Sequence, residues 1–116
     1  MDRVLSIDGK DVKFRATART PRLYRGIIGR DMIRDMSRLR ESFKKTEDGE
    51  SQLDAIDLEI FENIAYIMAK QADPDIPADP GEWLDGFNMF SIYQVLPELL
   101  KLWALNEKTT STPKKK

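Results

Sequence analysis

The side chains that most often carry chemistry near neutral pH are missing from this sequence. It contains neither histidine nor cysteine, so the commonest general base, the commonest metal ligand and all thiol chemistry are excluded. A site built from carboxylates alone stays open, but no phosphate-binding loop, zinc spacing or dinucleotide fingerprint accompanies the acids. We therefore expect no catalytic residues, no bound metal and no cofactor, and we interpret the chain as a protein that is not an enzyme.

Arginine is the most prominent charged residue in the first part of the chain. Arg30, Arg34 and Arg38 recur every four residues and form a basic patch on a predicted helix, where they can lie along nucleic-acid phosphates. However, Asp31 and Asp35 stand among them at pairing distance along the helix, and the pI near 5.5 is low for a nucleic-acid binder. A small nucleic-acid-binding regulator is therefore kept only as an alternative function.

Charge is unevenly distributed along the 116 residues, although the net charge is only −1. Residues 1–45 hold 13 Lys or Arg and 6 Asp or Glu, whereas residues 46–107 hold 2 and 14. This asymmetry indicates a charged partner, self-association through opposite surfaces, or two parts that face each other within one fold. A homo-oligomer is therefore among the expected assemblies.

Two short runs with strand periodicity open the chain. They flank Asp8-Gly9-Lys10, and Asp-Gly between such runs indicates a hairpin because glycine adopts positive φ freely. We predict a β-hairpin over residues 3–17, which must pack on helices or on another chain because an isolated hairpin is only marginally stable. Its predicted inward residues are Val12, Phe14 and Ala16.

The remaining sequence predicts four to five helices in one compact, mainly α domain over residues 1–106. Thr20 is expected to cap the first helix, Asp31 the second, and Ser51 with Asp54 the long third. The Pro/Asp-rich residues 73–80 predict a stiff connector to a short helix, and the basic residues 107–116 predict a disordered tail. The predicted buried positions of the first three helices are Leu23 and Ile27; Met32, Met36, Leu39 and Phe43; and Ile56, Ile60, Phe61, Ile64, Ala65, Ile67 and Met68.

The last predicted helix, Met89–Asn106, is apolar on nearly every side and contains Pro97, which kinks or restarts it. Such a helix belongs to the core, to an interface, or to both. It is too short and too interrupted to span a bilayer, so we expect no membrane partner. Aromatic side chains are enriched at interfaces, and the candidate protein-binding residues are Tyr93, Leu96, Leu100, Trp103, Trp83 and Phe87.

The order of several segments points to a known family. A hairpin with Ile-Asp-Gly-Lys and Phe-Arg-Ala-Thr leads into Thr20–Arg25 (Thr-Pro-Arg-Leu-Tyr-Arg) and then Gly-Arg-Asp. A helix like Glu59–Lys70, a Pro/Asp linker and Trp83–Phe87 (Trp-Leu-Asp-Gly-Phe) follow. Across residues 5–106 this pattern resembles the tail assembly chaperones of long-tailed phages and prophages of Gram-positive bacteria.

The resemblance implies a function, a partner and a compartment. Such chaperones bind the tape measure protein, a long and largely helical chain, and keep it soluble until the major tail protein polymerises around it. They act in the bacterial host cytoplasm and are absent from the mature virion. The expected partners are therefore the tape measure protein, with the major tail protein as a second. A structural component that stays in the phage particle is a further alternative.

Overall fold

The computed structural model describes residues 2–47, 49 and 53–101. The chain opens with two antiparallel strands, β1 (Asp2–Ile7) and β2 (Lys10–Arg15). Asp8 and Gly9 between them have φ values of 56° and 76°, the conformation of the two-residue turn that suits the strand twist. The predicted hairpin is therefore confirmed, and its turn is formed by the Asp-Gly pair.

Five helical segments follow the hairpin. They are α1 (Thr20–Ile28), α2 (Met32–Glu47), α3 (Ala55–Ala72), α4 (Pro80–Leu84) and α5, which begins as the 3-10 turn Ser91–Val95 and continues as α-helix over residues 96–101. The predicted fold class, a hairpin followed by helices in a compact, mainly α structure, is confirmed. The predicted tail, residues 107–116, lies outside the described residues.

Helix α3 lies at the centre of the fold. Its residues 64–69 are all buried, so no side of the helix faces solvent there, and it packs against β2, α1, α2 and α4. Each large apolar side chain buried in this way contributes about 1.5–3 kcal/mol to folding. The hairpin covers one side of α3 with Phe14, which is completely buried, and the predicted stripe Met32, Met36 and Leu39 on α2 is buried as well.

Two predicted core positions are wrong. Ile27 and Ile56 have 46% and 52% of their surface exposed. On α1 the inward residue is Tyr24, whose hydroxyl reaches a buried carboxylate on α2. At the start of α3 the inward residue is Asp57, which accepts hydrogen bonds from Arg38 and the Ser42 hydroxyl on α2. In both places polar contacts between helices determine which side is buried.

The predicted helix caps have mixed outcomes. Asp31 caps α2, because its Oδ1 accepts a 3.0 Å hydrogen bond from the Ile33 N–H. The Thr20 cap is wrong: Thr20 is already the first residue of α1, and its buried hydroxyl donates to Gln71 Oε1 on α3 at 2.6 Å. Asp54, predicted as the third helical residue behind a Ser51 cap, is itself the cap of α3, in a capping box with Asp57. The predicted partner Ser51 lies outside the described residues.

A buried carboxylate joins α1 to α2. Asp35, with 3% of its side chain exposed, accepts a 2.8 Å bond from the Tyr24 hydroxyl and two 2.8 Å bonds from the Arg30 guanidinium. The bonds from Arg30 hold the pKa of Asp35 below its usual value of 3.8. Asp35 therefore stays ionised, and its charge is compensated inside the fold.

Removing this charge tests how much the link stabilises the fold. Asp35→Asn retains the shape but weakens three hydrogen bonds, so we expect the free energy of unfolding to fall by about 2 kcal/mol, the size of bonds to a charged group. Tyr24→Phe, which removes one of the three bonds, should cost about 1 kcal/mol. Urea denaturation measures both, and equal stability of Asp35→Asn and the wild type would contradict the assignment.

The same carboxylate predicts an acid dependence. Because the pKa of Asp35 is lowered in the folded state, its contribution is complete above its unfolded value near 3.8 and is lost as the pH falls further. The melting temperature of the wild type should therefore fall more steeply below about pH 4 than that of Asp35→Asn. Parallel acid profiles for the two proteins would show that Asp35 contributes nothing to this dependence.

Candidate protein-binding surface

Helix α4 places an aromatic cluster, formed by Trp83, Phe87 and Tyr66 of α3, against the end of the core. Asp79 starts the helix by accepting a 3.1 Å bond from the Glu82 N–H. Trp83 is then buried, with its ring edge-on to Tyr66 at 5.8 Å and to Phe87 at 5.1 Å between centroids. These contacts fix the position at which the chain leaves α4.

The turn of the hairpin fixes the segment between α4 and α5. The Asp8 carboxylate accepts hydrogen bonds from the Asn88 backbone N–H at 2.7 Å, from the Asn88 side-chain amide at 3.2 Å and from the Ser91 hydroxyl. The bonds from Ser91 and Asn88 lower the pKa of Asp8. Lys10, the first residue of β2, contacts the same segment. Its ammonium donates to the Gly86 carbonyl at 3.0 Å and lies 5.9 Å from the centre of the Phe87 ring.

Two large apolar side chains project from this fixed segment. Met89 and Phe90 are 79% and 68% exposed, more than the other large hydrophobic residues in the described part of the chain. They are adjacent, and the residues on both sides of them, Asn88 and Ser91, are bonded to Asp8. We call Met89 and Phe90 the apolar tip. Because its flanks are bonded to Asp8, covering it with a partner costs little backbone conformational entropy.

The apolar tip corrects one boundary predicted from the sequence. The sequence predicts that the last helix starts at Met89, but α5 begins at Ser91, and Pro97 lies in the first turn of its α-helical part. The reason is that Asp8, distant in sequence, holds Asn88 in a turn. Gly86 and Asn88 are turn-forming residue types, and they are the signal in the sequence from which this exposed tip was predictable.

The structure places the sequence-predicted protein-binding residues in or against the core. Trp83 and Leu96 are buried, whereas Phe87, Tyr93 and Leu100 are half-buried and pack against the core cluster. Trp103 lies outside the described residues. Of this set, Trp83 and Phe87 are in direct ring contact.

Tyr93 is held by α3 from both its ring and its hydroxyl. The ring lies 6.1 Å from Phe61, and the hydroxyl donates to the Glu62 carboxylate. That hydrogen bond, together with burial, raises the pKa of Tyr93 to about 12. These contacts anchor α5 on α3, so Tyr93 supports the apolar tip from the core side.

The basic patch is partly engaged inside the fold. The Arg30 guanidinium is bonded to Asp35 as described above, and Arg38 contacts the buried Asp57 at 3.0 Å. Arg34 has no ion-pair partner within the part of the chain that the structure describes. Two of the three predicted cations therefore already neutralise buried carboxylates.

Comparisons with known proteins supply no relative from which a function can be transferred. No protein-family model, curated protein or solved structure matches this chain. Within the described residues there is no group of three or more acidic side chains that could hold a metal ion. None of the helices described above is long and apolar enough to cross a membrane.

The apolar tip and the aromatic cluster should respond differently to truncation. Phe90→Ser should leave the melting temperature unchanged, because most of this side chain is already in solvent in the folded protein. Trp83→Ala should lower the free energy of unfolding by about 3–5 kcal/mol, the usual cost of removing a large buried aromatic side chain. Thermal and urea denaturation of both variants measure the difference. A large loss of stability in Phe90→Ser would show that this ring belongs to the core.

Proposed function

We propose that this chain is a phage tail assembly chaperone that binds the tape measure protein through its apolar tip and keeps that client soluble until the tail tube forms. The observation that carries the proposal is the tip itself: Met89 and Phe90 are exposed on a segment whose flanks are fixed by Asp8. The family resemblance supplies the identity of the client. The proposed action is binding without catalysis.

The chemistry of the tip suits such a client. A long helical chain without its final partners exposes apolar stripes, and an exposed apolar patch marks a binding site for this kind of surface. Methionine adapts its shape to different neighbours, and an aromatic ring provides a rigid anchor. Complete burial of each side chain contributes about 1.5–3 kcal/mol at most, so one tip gives weak, reversible binding. Reversible binding is what a chaperone that leaves the finished particle requires.

The alternatives make different physical predictions. Nucleic-acid binding needs free cations, and the ion pairs of Arg30 and Arg38 with buried carboxylates count against it. A structural particle component would be present in purified virions, from which the proposed chaperone is absent. Mass spectrometry of purified particles therefore separates the structural alternative from the proposal.

Co-expression with the tape measure protein tests the function directly. We expect the soluble fraction of the client to rise with the wild-type chain and to return to the level of the client alone with Met89→Ser/Phe90→Ser. Ile56→Ser is the matched control, because Ile56 is also a large exposed apolar residue, at 52%, but lies at the start of α3. An insoluble client in the presence of the wild-type chain would contradict the chaperone function, and equal loss in the control would contradict the assignment of the tip.

A further inference from the structure

Strand β2 has one edge that its own hairpin leaves unpaired. Ile7 and Lys10 close the two-residue turn, and Val12 lies opposite Leu5. In an antiparallel pair, backbone groups alternate between pointing toward the neighbouring strand and away from it. The N–H and C=O groups of Val12 therefore point toward β1, whereas those of Asp11 and Lys13 point away. None of the described residues forms a backbone hydrogen bond with these outward groups.

An open groove runs along this edge. One side is formed by Asp11, Val12 and Lys13, and the groove has a volume of about 400 Å³. The other side is lined by the end of α3, the connector and α4, through Ala69, Ala72, Asp73, Ile76 and Trp83. A free strand edge beside open space is the arrangement to which another strand adds.

We propose that the occupant is β2 of a second copy of this chain, paired antiparallel about a twofold axis at Val12. The two hairpins then form one four-stranded sheet. In this register Asp11 lies opposite Lys13 of the second copy, and Lys13 lies opposite its Asp11. These are the residues whose backbone groups point outward, so both pairs form hydrogen bonds across the interface. Val12 lies directly opposite Val12 of the second copy, and both side chains are on the inner face of the sheet.

Charge complementarity favours a second copy as the occupant. The side chains of Asp11 and Lys13 are exposed on the outer face of the hairpin, and the twofold axis places opposite charges next to each other twice. Opposite charges across a strand pair are stabilising, whereas like charges are destabilising. The outer edge of β1 offers no such match, since pairing about Leu5 would place Val4 opposite Ser6. The charges therefore select β2 and its register.

Charge reversal tests the register. We expect sedimentation equilibrium of the full chain to show a dimer, and Asp11→Lys or Lys13→Asp alone to raise the dissociation constant about tenfold or more, because two like pairs replace two opposite pairs. The double variant Asp11→Lys/Lys13→Asp should restore the wild-type constant. Thermal denaturation checks that all three variants are folded. A wild-type monomer at millimolar concentration, or single reversals that associate like the wild type, would overturn the proposal.

Two further variants test the edge itself. Lys13→Pro removes an outward N–H without removing a bond to β1, so it should abolish the dimer. Ser6→Pro does the same on the outer edge of β1 and should leave the dimer intact. Equal effects of the two prolines would overturn the assignment to β2.

A cysteine placed on the twofold axis gives an independent readout. The chain has no cysteine, so Val12→Cys can form a disulfide only between copies, and directly opposite residues of this kind are close enough to bond. Val4→Cys is the control, because Val4 is 53% exposed and would react faster if copies met only by random collision. We expect Val12→Cys to cross-link faster under mild oxidation, and the reverse order would overturn the proposal. Monomeric protein that still solubilised the client would leave the proposed function unaffected.

Discussion

The constraint on which the structure depends is that α3 must be covered on every side. Six consecutive residues, 64–69, are buried, and a helix apolar all round is stable in water only when other elements surround it. In this chain the hairpin, α1, α2 and α4 each cover one part of α3. None of these elements is large enough to form a core alone, so their arrangement follows from the helix that they share.

Ion pairs between elements accommodate part of the uneven charge within the fold. Asp57 is buried on α3 and bonded to Arg38 from the basic part of the chain, and Arg3 on β1 contacts Glu98 on α5 at 3.1 Å. Basic and acidic parts of the sequence therefore do face each other in places. The pairing is incomplete, because Asp11 and Lys13 have no ion-pair partner within the residues that the structure describes. The charges of Asp11 and Lys13 are therefore available for contacts with another molecule.

Sequence patterns predicted the features that depend on nearby residues. The Asp-Gly turn, the buried stripe of α2 and the Asp31 cap need only local geometry, and all three are present. Thr20 and Ile56 were assigned wrongly because their environment depends on groups far along the chain, such as the amide of Gln71 and the partners of Asp57. The apolar tip was missed although Gly86 and Asn88 signal a turn, because the carboxylate that holds this turn belongs to Asp8, far along the chain.

The hairpin connects the two proposed surfaces. Its turn holds the apolar tip through Asp8, and its β2 edge carries Asp11 and Lys13, only a few residues further along. A twofold axis between antiparallel strands is perpendicular to the sheet, so the helices of both copies lie on the same side of it. Each turn stands three to four residues from Val12, which separates the two turns by about 20–25 Å along the strands.

A dimer of this kind would present two apolar tips, and a client helix that contacted both would need apolar residues about 14–16 positions apart. Two weak contacts at that spacing bind more tightly together than either does alone, which reconciles reversible binding at each tip with retention of a long client.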